Sequence, residues 1–142
     1  MIYKKKEVEL PGIKYAALTK KGDHLYCLCK EGGYLISLSD MSLSSYQGEL
    51  LDEDEDTIFT IGKGSAGRLR HIDGYGNRIA IILPRCPKKR VIYMPHGLSY
   101  FTHPDQCMTL YEGEDVSVYG FGNDGHSIII IHTNTITIYT IQ

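Results

Sequence analysis

The stretch VSVYGFGNDGHSIIIIHTNTITIYTI, residues 116–141, decides the fold class. Its four consecutive isoleucines, Ile128 to Ile131, put large apolar side chains on both faces of an extended chain, which suits a strand covered on both sides. After Thr133-Asn134, the pattern of 135–141 alternates threonine with isoleucine, the mark of a strand with one wetter face. Asn123-Asp124-Gly125 supplies turn chemistry ahead of the isoleucines. Helical spacing is almost absent.

The same unit occurs twice more, at 14–39 and 67–94, with central turns at Gly22-Asp23 and Tyr75-Gly76-Asn77. The first large apolar residues after the three turns are Leu25, Ile79 and Ile128, which gives spacings of 79 − 25 = 54 and 128 − 79 = 49. Residues 24–30 and 78–83 are apolar on both faces; 34–38 and 90–94 alternate. A fourth strand fits near 42–47 and near 98–102. The third unit ends at its third strand, and a spare strand at 7–10 stands before the first. The expectation is one all-β domain over 1–142, of about twelve strands in three four-stranded units at about 11–48, 57–104 and 107–142. The strand at 7–10 completes the last unit and pairs outside the first. Leu25, Cys27, Leu35, Ile79, Ile81, Ile92, Ile129 and Ile138 are the expected core.

The three segments IKYAALTKKGDHLYCLCKEGGYLISLSD, LRHIDGYGNRIAIILPRCPKKRVIYM and VSVYGFGNDGHSIIIIHTNTITIYTI resemble WD40-like β-propeller blades. The resemblance implies propeller-like units and a scaffold that grips protein partners. It is carried by pattern, since Gly125-His126 lies in a central turn rather than at a blade start. Three blades leave blade edges to be covered, by a second copy or by another protein. The rival architecture is a β-trefoil, which also has three units and would suit a ligand-binding, lectin-like protein.

Composition sets the class. The 142 residues are 42% hydrophobic and 23% charged, enough for one sizeable core. Fifteen Gly and eleven Tyr with no Trp fit many turns and half-buried strands. A net charge of −2 offers no field to attract nucleic acid. Without a long apolar run at the start, the chain reads as intracellular, cytoplasmic or nuclear, with no membrane partner and four reduced cysteines.

Gly62-Lys63-Gly64-Ser65-Ala66-Gly67 is a GxGxxG, but neither a helix nor a kinase lysine follows it, so a linker explains it better than a phosphate cradle. Cys27 and Cys29, and the group His96, His103 and Cys107, lack the close spacing of a zinc knuckle. The acidic run of Glu49 and 52–56 lacks the ligand spacing and central glycine of a calcium loop. No acid, base and nucleophile form a recognisable set, so the expectation is a non-enzymatic protein without metal or cofactor. The candidate contact residues are the basic hairpin Arg85, Lys88, Lys89 and Arg90, and the aromatics Tyr100, Phe101 and Tyr111, which are expected to be exposed.

Overall fold

A computed structural model of the chain describes residues 2–18, 24–46, 59–61, 69, 71–122 and 126–141. The protein is all-β. Twelve strands occur among these residues: β1 (Ile2–Glu9), β2 (Ile13–Leu18), β3 (His24–Cys29), β4 (Gly32–Ser37), β5 (Leu43–Tyr46), β6 (Phe59–Ile61), β7 (Arg78–Arg85), β8 (Lys88–Met94), β9 (Met108–Gly113), β10 (Val116–Phe121), β11 (Ser127–His132) and β12 (Thr135–Ile141). One 3-10 turn, Pro104–Gln106, is the only helical element among them.

The strands form three antiparallel sheets, ordered β5-β4-β3-β2-β6, β7-β8-β9 and β1-β12-β11-β10. The last of these is central. Its β-branched residues alternate between two cores: Ile129, Ile131, Ile136 and Ile138 pack with Leu18, Leu25, Cys27 and Ile36 of the five-stranded sheet. Ile128, Ile130, Phe121 and Tyr139 pack with Ile79, Val91 and Leu110 of the three-stranded sheet. The register requires this split, because Ile129 pairs Ile138 and Ile131 pairs Ile136 on one face, while Ile128 pairs Tyr139 on the other. Each fully buried isoleucine contributes about 1.5–3 kcal/mol relative to exposure.

β1 lies antiparallel along β12, from Ile2 opposite Ile141 to Glu9 opposite Thr135. The strand is longer than 7–10, and it fills the edge of the central sheet within the same chain. Its lysines reach the five-stranded sheet: Lys6 Nζ donates to the carbonyl of Met41, and Lys5 Nζ to that of Ser39. The crossing at 10–12 is held by Asn134, whose backbone oxygen accepts from Leu10 N–H at 2.9 Å and whose Oδ1 accepts from Gly12 N–H at 3.2 Å.

Several sequence expectations differ from the structure in detail. Leu25, Cys27, Ile79, Ile92, Ile129 and Ile138 are buried, whereas Leu35 and Ile81 are half-buried. β12 has no wet face over Ile136 to Tyr139, because a sheet covers it on each side. No strand forms at 98–102. Ser99 instead organises a turn, its carbonyl accepting from His103 N–H at 2.7 Å and its Oγ from Phe101 N–H at 3.3 Å. The outer strand beside β8 is therefore β9, while residues 71–72 meet the start of β7 through the Ile72–Arg78 bridge and Ile79 N–H to His71 carbonyl at 2.8 Å. The turns at Gly22-Asp23 and 123–125 lie outside the described residues.

Candidate functional site

β7 and β8 form a hairpin closed by Cys86 and a cis Pro87, with Arg85 paired to Lys88. β9 accompanies β8 only as far as the Lys89–Gly113 pair, so the tip at 83–88 projects past its neighbour. All six tip residues are exposed. Leu83 is 61% exposed, and neither Arg85, Lys88 nor Lys89 makes an ion pair with another described residue.

Strand alternation divides β8 into two faces. Val91 and Tyr93 point into the second core, and Lys89 shares their side; Lys88, Arg90 and Ile92 take the opposite side, which is exposed at Lys88, half-buried at Arg90 and fully buried at Ile92. There Arg90 is fixed twice, Nε donating to Glu112 Oε2 at 3.0 Å and Nη1 donating to Tyr100 Oη at 3.0 Å. The hydrogen bond and charge of Glu112 raise the guanidinium above its already high pKa, so the cation is permanent. Tyr100 holds Phe101 edge-on, with ring centroids 6.1 Å apart at 77°. Phe101 itself is 84% exposed. A large aromatic is thus presented to water from a turn pinned by Ser99 and backed by an anchored arginine.

The structure brings together five of the seven candidate residues: Arg85, Lys88, Arg90, Tyr100 and Phe101. Lys89 and Tyr111 fall on the other side. Tyr111 is half-buried against the second core and stacks on His132 of β11, with centroids 4.0 Å apart and planes 20° from parallel. Its expected exposure is corrected by the bulge in the β8–β9 register between Val91 and Ile92, beside which Tyr111 pairs Val91. Tyr100 is half-buried as well, because its hydroxyl serves Arg90. Glu112 and Leu83 were not singled out by the sequence; the cross-strand register that sets Glu112 opposite Arg90 has no local signal in it.

The other constellations lie elsewhere. Residues 62–67 and 49–56, the glycine-rich and acidic runs, are outside the described residues. Cys27 and Cys29 sit in the first core, where burial pushes both thiols up, away from the reactive thiolate. Burial also raises Cys107, partly countered by Arg78. His103 Nδ1 lies 2.9 Å from Thr102 Oγ1, and His96 packs over Gly76. Among the described residues, no three His, Cys, Asp or Glu side chains converge as a metal site would require. No described helix is long and apolar enough to cross a membrane. No family model, curated protein or solved structure matches the chain.

Proposed function

We propose that this protein is a non-enzymatic protein-interaction module, built from three propeller-like units and presenting the tip of the β7-β8 hairpin and the turn at Phe101 to a protein partner. The observation that carries the reading is Phe101: a fully formed, 84% exposed aromatic on a hydrogen-bonded turn is the kind of rigid anchor that dominates binding energy at interfaces. Its surroundings fit that role. Arg90, Tyr100 and Glu112 hold it without needing to reorganise, so little ordering entropy is lost on docking.

The blade reading draws support from separate sheets that stack face to face, and from an N-terminal strand that completes the last sheet as ring-closing strands do in propellers. A self-closing trefoil would join its units in one barrel instead. The test is zero-length cross-linking in an extract of the source cells, followed by mass spectrometry, with the intact chain and Phe101→Ala in parallel. Cross-links from Lys88 to a defined protein that vanish in Phe101→Ala support the reading. An identical cross-link pattern for both chains opposes it.

A further inference from the structure

Two cations on that face that have no ion-pair partner among the described residues point to the chemistry of its occupant. Lys88 is two residues from Arg90 on β8, hence on the same side and about 7 Å away along the strand. Arg85, its cross-strand partner, stands beside it. Arg90 is neutralised by Glu112, but Arg85 and Lys88 have no anionic partner among the described residues. Leu83 adds exposed apolar surface at the same tip. One end of the surface is therefore cationic and unpaired, and the other is aromatic.

Resting on the interaction-module reading, we infer that this surface docks an acidic protein segment, its carboxylates meeting Arg85 and Lys88 while an apolar side chain packs on Phe101. Arginine in the hairpin accepts a carboxylate in bidentate geometry, and the exposed tip allows an extended segment to approach without displacing β9. Single-stranded nucleic acid also likes cations beside an aromatic. It is disfavoured here because the surface offers two cations and one strongly exposed ring, short of the basic track and succession of stacking rings that follow a polynucleotide strand.

The test uses the full chain and a fluorescein-labelled synthetic octapeptide, Asp-Glu-Phe-Glu-Asp-Leu-Asp-Glu, read by fluorescence anisotropy, with an eight-nucleotide thymidine oligomer as the second probe. The peptide should bind saturably with a dissociation constant of about 10–100 μM, and weaken about tenfold between 50 and 300 mM salt. Phe101→Ala should weaken it at least about tenfold, and the pair Arg85→Glu with Lys88→Glu should abolish it. Lys89→Glu, on the opposite face, should change it by less than about threefold, as an exposed charge at the rim does. Equal affinity across these variants, or tighter binding of the oligonucleotide, overturns the inference. So does a silent peptide; if Phe101→Ala still removes cross-links to a protein in that case, the module reading stands and only the acidic chemistry is wrong.

Discussion

From β12 in the central sheet, Tyr139 donates its hydroxyl hydrogen to the carbonyl oxygen of Leu110 on β9, 2.7 Å away. Both residues are buried, so this bond ties two sheets together through their shared core. Burial, with a smaller push from Glu7, raises the phenol's pKa and keeps it a neutral donor. Tyr139→Phe keeps the ring and strands the Leu110 carbonyl. The expected loss is about 1–2 kcal/mol, the penalty of one unmade buried hydrogen bond, read as a lower urea midpoint with an unchanged slope. A variant with the wild-type midpoint would show that the sheets do not depend on this tie.

Gly76 and Gly97 offer a controlled comparison of strain with crowding. Both have left-handed φ, +84° and +78°. A Cβ on Gly76 would collide with the His96 ring at Nδ1, whereas one on Gly97 meets nothing within 4 Å. His96 is held in that position by its backbone N–H bond to Asn77 Oδ1, and Asn77 in turn by Asp73. Gly97→Ala should cost about 1 kcal/mol from backbone strain alone. Gly76→Ala should cost more, about 2–4 kcal/mol, since the histidine must also move. Thermal unfolding of the two variants measures the difference; equal losses would mean that His96 yields freely.

How much of this was legible before the structure depends on the range of the interaction. The alternation of Thr135 to Ile141 and the run Ile128 to Ile131 announce strands because their period is local. The split of those isoleucines between two cores is a property of what stacks on each face, and nothing within the segment states it. The same limit explains the fourth strand at 98–102. Apolar Leu98, Tyr100 and Phe101 look like strand residues, but Ser99 and the flanking Pro95, Gly97 and Pro104 decide the conformation through turn hydrogen bonds. Among the contact residues, composition located the basic hairpin, while the face on which each side chain emerges required register. Lys88 and Lys89 are adjacent and chemically identical, yet a pleat separates them.

Stability should fall on acidification in two windows. His132, stacked on Tyr111, has its pKa lowered by burial, with Glu7 opposing in part. The unfolded chain therefore takes up that proton first: the contribution is intact above the ordinary histidine value of about 6.5 and is lost as the pH falls below it. Asp73 behaves likewise lower down. Burial raises its pKa, but the bonds from the Asn77 side chain and from the Tyr75 and Asn77 N–H groups outweigh it and set the net direction downward. Its contribution is present above the ordinary aspartate value of about 3.9 and disappears below. Asp40, lowered by the Ser42 N–H, acts in the same window. Denaturant midpoints at pH 7.5, 5.5 and 3.5 should decline stepwise. His132→Gln should flatten the first step and Asp73→Asn reduce the second; an unaltered first step in His132→Gln would exclude the stacked imidazole as its source.

The most consequential deletion is β1. It covers the outer edge of β12, from Ile2–Ile141 to Glu9–Thr135, and puts Val8 and the following Leu10 into the first core. β1 is itself rich in charge, with Lys4 paired to Glu7 and Lys5 and Lys6 reaching the Ser39 and Met41 carbonyls, and charged residues on an edge strand discourage a further strand from adding. Removing residues 1–10 exchanges that protected edge for an unpaired one whose residues Ile136, Thr137, Ile138 and Tyr139 are otherwise buried. An exposed apolar strand of this kind is a template for other chains. The truncated protein should associate in a concentration-dependent way, detected by light scattering, and lose at least about 3 kcal/mol of stability from two vacated core positions and their ladder bonds. A synthetic peptide of residues 2–10 should reverse that association by occupying the vacant edge, as strand addition does in other sheets. A soluble, monomeric truncation with an unchanged melting temperature would show that β1 closes nothing.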